Sequence, residues 1–242
     1  MLHPVNAVFA HFDEKIEPWN GAPQSLYSDH FQWKDGPTGS MGFKIEAVPL
    51  QPGLASSLLG GHGEELVSQV QALANTNGLL ALCRDGFTED SPGGTVSLRS
   101  DGTATVDYPM TDTLRDGLRR GFLAMAELQF AAGAKEVRPH QLGQPWFTRW
   151  DAYKQAIQAM PIEKFQTRLG SAHVMGGCAM GSDPANAVAD NNGRYMNLDR
   201  LSIMDGSLFP TSIGANPQLS IYGMVARLAA MLAAELKPLP VK

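Results

Sequence analysis

From Ser171 to Gly223 the chain cannot form one regular element. His173 lies in a turn with Gly176, Gly177 and Gly181, and Asn191-Asn192-Gly193 follows as a hairpin-type turn. Glycine reaches backbone conformations closed to other residues and lets two backbones approach, so this density predicts tight loops folded around something. Leu201 to Met204 then predicts a short apolar strand running into Asp205-Gly206-Ser207. Gly214-Ala215-Asn216-Pro217 opens an apolar, helix-period pattern from about Gln218. Polar side chains and permissive backbone coincide here more densely than anywhere else, so half of any active site is expected in this stretch.

Length and charge bound what that site serves. A chain of 242 residues can bury one large core or two modest ones. A net charge of -5 leaves no basic footprint, which excludes nucleic acid as the expected partner. Cys83 and Cys178 are far apart and match no metal or redox spacing. Met1-Leu2-His3-Pro4 has neither the basic start nor the apolar core of a secretory signal. The most apolar run, Leu219 to Leu236, is broken by Ser220, Arg227 and Glu235 and reads as a packed helix. The expectation is a soluble, cytoplasmic chain, with any anchor confined to residues outside this one.

Earlier in the chain strand patterns dominate. Val5 to Phe12, Leu26 to Trp33 and Phe43 to Leu50 read as three strands of an antiparallel sheet. Glu64 to Ala74 has helical spacing at Leu66, Val70 and Leu73. Leu79 to Arg84 resumes strand character, and Thr95 to Arg99 and Thr103 to Tyr108 flank a hairpin turn at Asp101-Gly102. Asp112 to Ala132 is helical, with Leu114, Leu118, Phe122, Met125 and Leu128 near one face and Gly133 as its C-terminal cap. Ala134 to Val137 predicts a short strand and Trp150 to Met160 a helix stopped by Pro161. Strands first with helices inserted predict α+β: an antiparallel-sheet domain over 1–170 with flanking helices. Residues 171–242 then form a catalytic segment with a strand-helix piece of α/β character.

His173, taken alone, reads as an ordinary solvated or hydrogen-bonded loop histidine. Its glycine neighbours, which permit close approach to a bound ring system, favour a general base. Pro217 pushes Asn216 towards extended backbone and so fixes how its carboxamide is presented. The competing reading is that Asn216 or Ser212 caps the terminal helix, and both can hold. Asp205-Gly206-Ser207 is either a ligand loop after a strand or an ordinary turn. Gly61-His62-Gly63-Glu64-Glu65-Leu66 lacks the final glycine of a dinucleotide motif. His3, His11, His62 and His140 are scattered without ligand spacing, so no metal is expected. There is no Gly-x-Ser-x-Gly elbow for a serine hydrolase.

The ordered set His173-x-Met175-Gly176-Gly177-Cys178-x-Met180-Gly181, Asn192-Gly193-Arg194, Leu201-x-Ile203-x-Asp205-Gly206-Ser207-x-x-Pro210 and Asn216-Pro217 resembles the C-terminal signature of the glucose-methanol-choline (GMC) flavin oxidoreductases. Leu2-His3-Pro4-Val5, Ser100-Asp101-Gly102 and Ala131 to Val137 more loosely resemble the long-chain alcohol oxidase and cholesterol oxidase-like branches. The resemblance implies FAD as cofactor and a small-molecule, hydrophobic alcohol as substrate, oxidised by hydride transfer to flavin N5. It places His173 at N5 and the substrate hydroxyl, as base, and Asn216 at the second active-site position. Asp205 and Gly206 would approach the ribityl-phosphate part of FAD, and Pro217 and Gln218 the pyrimidine edge of its ring. The family's Gly-x-Gly-x-x-Gly pyrophosphate loop is not in this sequence. The expectation is a C-terminal fragment or split gene product, or else a chain whose FAD-binding half is carried by a separate partner chain. The alternative is a non-catalytic substrate-side module or remnant.

Overall fold

The apolar run after Pro4 becomes the interior of a sheet. In the computed structural model, which describes residues 1–22 and 24–236, the strands are β1 (Val5–His11), β2 (Tyr27–Ser28), β3 (Phe43–Ala47), β4 (Thr76–Cys83), β5 (Thr95–Leu98), β6 (Ala104–Asp107) and β7 (Glu136–Pro139). The helices are α1 (Pro52–Leu58), α2 (Glu64–Gln71), α3 (Asp112–Ala131), α4 (Trp150–Ala159) and α5 (Gln218–Glu235). By their contacts these residues form two compact units, Pro4–Arg84 with Met110–Gly170, and Met1–His3 with Asp85–Pro109 and Ser171 onward.

In the first unit β2, β3, β4, β1 and β7 form one sheet in that order, every pairing antiparallel. β1 lies between β4 and β7, with Val5 opposite Leu82 and Val8 opposite Leu79 of β4. Asn6 to Ala10 are all buried, because both faces of the strand are covered. One face packs on α3, whose Leu114, Leu118, Phe122 and Met125 recur at helical spacing and are fully buried. Thr111 caps that helix by accepting the Leu114 N–H at 3.2 Å. The other face presents Ala7 and Phe9 to Leu50, Ala55, Leu59 and Leu73, with Trp19 and Trp146 packed alongside.

In the second unit β5 and β6 form a two-stranded hairpin closed at Asp101-Gly102, where Asp101 accepts the Thr103 N–H. α5 packs through Leu228 on Ala189 and Leu208, with Met180, Ile203, Met204 and Met224 partly buried around them. No helix among the described residues is long and apolar enough to cross a membrane.

Three elements depart from the expectations. Leu26 to Trp33 yields only Tyr27–Ser28 as strand, because the polar Asp29-His30 step turns the chain and the Gln32 N–H bonds back to the Asp29 carbonyl. Leu201 to Met204 does not extend into a strand. Tyr195 N–H bonds the Leu201 carbonyl and Ile203 N–H bonds the Gly193 carbonyl, leaving one bridge between Arg194 and Ser202. Its partner is residues 193–195, just past the Asn191-Asn192-Gly193 turn, too short a stretch to carry a longer ladder. α1 was not foreseen: Gly53, Ser56 and Ser57 give it weak helix propensity, and it forms with Pro at its first turn over buried Ala55.

Candidate active site

His173 does not stand alone in its loop. His3 lies beside it, with Nδ1 to Nδ1 at 3.0 Å and the two rings edge to face. The N-terminal residues reach this loop because the Met175 N–H donates to the Met1 carbonyl at 2.9 Å. His3 is buried, and the Gly214 N–H donates to its Nε2 at 3.2 Å. Burial, with proximity to His173 adding to it, pushes the His3 imidazole down to about 4, so it is neutral near neutral pH.

Gly206 makes the close packing of the site possible. A Cβ there would lie 3.0 Å from Ile221 Cδ1 and 3.3 Å from the Val174 carbonyl oxygen. Only a residue without a side chain lets the loop after Asp205 touch both the residue next to His173 and the first turns of α5. Asp205 is exposed, and its carboxylate accepts the Ser207 N–H at 2.8 Å, capping the single 3₁₀ turn Gly206–Leu208. Asn216 is half-buried and Pro217 buried. Pro217 is itself the N-cap of α5, with no side-chain cap bond. The N-cap position therefore falls to Pro217, and not to Asn216 or Ser212 as the competing reading had it. Ser212 instead turns inward and donates to the Asp85 carbonyl. Gln218 begins α5 exposed and donates to the Tyr222 hydroxyl.

A polar network supports both loops. Thr211 donates to the Gly86 carbonyl at 2.7 Å, beside the Ser212 contact to Asp85. The buried Asp85 carboxylate accepts from the Tyr108 hydroxyl at 2.5 Å and from the Gly86 N–H at 2.9 Å. The Tyr108 hydroxyl accepts the Leu2 N–H at 3.4 Å. The segment before His3 is thus tied through Tyr108 to the Asp85 carboxylate, and the loop before Gly214 to the backbone carbonyls of Asp85 and Gly86. His3 and Asp85 are the residues that sequence reasoning missed. His3 looked like one of several scattered histidines, and its only signal was its place in the Leu2-His3-Pro4-Val5 resemblance.

Residues 90–225 match the sequence profile described as GMC oxidoreductase. The chain belongs to the GMC oxidoreductase family. Among curated GMC relatives it is 28% identical to an uncharacterised GMC-type oxidoreductase of Mycobacterium tuberculosis, over 94% of this chain and 34% of that protein. It is 26% identical to a long-chain-alcohol oxidase of Arabidopsis thaliana, over 74% of this chain and 25% of that protein. Among solved structures it is similar to formate oxidase with a TM-score of 0.62 and 16% identity, over 98% of this chain and 47% of that one. FAD modification is described in the formate oxidase of Aspergillus oryzae RIB40. The chain therefore spans about a third of the length of the curated GMC relatives it matches most fully and about half that of the solved structure.

Two observations test whether the residues suit the flavin ring of a GMC cofactor. The N-cap residue of α5 is a proline, whose ring offers no acceptor to the first-turn N–H groups at the positive end of the helix dipole. Gly177 and Gly223 are exposed, with nothing closer than Ser207 Cβ at 4.0 Å to where a side chain would stand. Bare backbone and the positive end of a helix suit a flat ring carrying partial negative charge. They fit the ring end of FAD; its pyrophosphate has no Gly-x-Gly-x-x-Gly in this sequence to receive it.

Proposed function

We propose that this chain is the substrate-facing part of an FAD-dependent GMC oxidoreductase acting on the CH–OH group of a hydrophobic alcohol. FAD, when bound, supplies at N5 the acceptor for the hydride that leaves the carbinol carbon. His173 faces the hydroxyl and takes its proton, and the Asn216 carboxamide donates a hydrogen bond to the oxygen as negative charge develops on it. Asp205-Gly206 and Pro217-Gln218 line the ribityl and ring edges of the cofactor. Residues 1–170 supply the substrate-binding domain and 171–242 the catalytic segment.

The observation that carries this reading is the support behind His173. A loop histidine of no consequence would not be backed by a buried, neutral histidine, itself held by the backbone that leads to Asn216. The assignment is tested by His173→Ala in the catalytically complete protein, read as the rate of flavin reduction by a long-chain alcohol. A positioned base contributes ~10²–10⁴-fold, so the rate should fall by about that factor. An unchanged rate would remove His173 from the chemistry.

The alternative, a non-catalytic substrate-side module, has one observation in its favour. α5 is apolar on most sides, yet Leu219 is 82% exposed and Tyr222, one turn on, 58% exposed. This face calls for further protein, supplied by a separate chain or by more of the same one. The two readings therefore differ in whether that protein brings the FAD-binding half.

A further inference from the structure

We infer that His3 is a positioning residue for His173: its Nδ1–H, fixed by the Gly214 N–H on its other nitrogen, holds His173 in the tautomer whose proton is on Nε2. The inference rests on the reading of His173 as the residue at the substrate oxygen.

Two hydrogen bonds fix the proton. A backbone N–H can only donate, so the Gly214 N–H at 3.2 Å makes His3 Nε2 an acceptor. A neutral imidazole with one accepting nitrogen carries its proton on the other, so the proton of His3 is on Nδ1. That N–H points at His173 Nδ1, 3.0 Å away. His173 Nδ1 is therefore an acceptor, and the proton of neutral His173 sits on Nε2. The opposite arrangement would aim a His3 Nε2–H at the Gly214 N–H, two donors facing each other in a buried place. Protonating His3 would do the same, and its burial already opposes that charge.

The consequence is chemical. In this state His173 meets a hydroxyl oxygen as a donor, orienting it and favouring negative charge on it. To take the hydroxyl proton at Nε2 it must first change tautomer. Its Nε2 proton leaves to water, its Nδ1 receives the proton of His3 Nδ1, and His3 Nε2 gains one from water. The Gly214 N–H must withdraw for this to occur. Gly214, at φ +71, is two residues from Asn216, so the backbone that presents Asn216 also sets the proton of His173.

The test reads the tautomer, whether or not the chain turns over. The full chain, labelled with ¹⁵N-histidine, is observed by long-range ¹H–¹⁵N NMR at mildly alkaline pH, where imidazoles are neutral. His173→Gln identifies the His173 signals. The wild type should show His173 protonated at Nε2. His3→Asn keeps an N–H near the place of Nδ1 and should retain that tautomer, whereas His3→Ala removes it and should give a mixture. A wild-type His173 protonated at Nδ1 would overturn the inference. So would a His3→Ala chain, shown to be folded by circular dichroism, with the wild-type tautomer, or a His3→Asn chain that has lost it. If His3→Ala does not fold, the wild type and His3→Asn still decide. Full activity in His173→Ala would instead strike at the proposed function and leave the tautomer result standing.

Discussion

At the scale of single residues, burial governs how His3 responds to acid. Its folded value, about 4, lies below the ordinary imidazole value near 6.5. The unfolded chain then binds the extra proton more readily, so stability present above about 6.5 is lost as pH falls towards about 4. A depression of that size corresponds to up to about 3 kcal/mol across the window. His140 shifts in the same direction, lowered chiefly by burial, with its bond to the Leu58 carbonyl opposing. Urea unfolding of His3→Asn should thus lose less stability than the wild type between about pH 7 and about pH 4, with a remainder owed in part to His140. Equal losses would show that His3 is not held neutral. The residues proposed for the site stood out in the sequence because their glycine and proline neighbours constrain backbone. His3 was not, since nothing local marks a residue that meets its partner 170 positions later.

At the scale of elements, the junction of the Asp205 loop with α5 depends on small volumes. Gly206→Ala places a methyl 3.0 Å from Ile221 Cδ1 and 3.3 Å from the Val174 carbonyl. It should cost ~1–3 kcal/mol and disturb the His173 loop, read as a lower urea midpoint with altered His173 signals. Leu228 is the fully buried residue of α5, so Leu228→Ala should cost ~2–5 kcal/mol. Leu219→Ser, at an exposed position on the same helix, should stay within about 0.5 kcal/mol in the isolated chain. α3 and β1 were readable because periodicity and burial agree in them. β2 and the Leu201 run were not, because strand length is set by the partner available and not by apolar content. α1 was hidden for the converse reason: packing of Ala55 overrides a weak propensity.

At the scale of the whole molecule, the apolar exterior of α5 and that of the β5–β6 hairpin, where Val96, Leu98 and Val106 are exposed, describe a chain with surfaces still to be covered. The purified chain should therefore show no retained flavin absorbance and should bind an apolar dye. Adding the FAD-binding half should restore flavin binding and suppress the dye. Stable flavin in the isolated chain would show that residues 1–242 house the cofactor unaided.

The sequence by itself determined the antiparallel sheet and the long helices and marked His173 and Asn216 as candidates, because periodicity and backbone-restricted residues act over a few neighbours. Only the tertiary structure decided that Met1–His3 and Asp85–Pro109 gather with the segment from Ser171 onward. It alone put Gly214 on one nitrogen of His3 and His173 on the other. Which nitrogen carries a proton depends on donors and acceptors brought together across the chain, and no local pattern encodes that meeting.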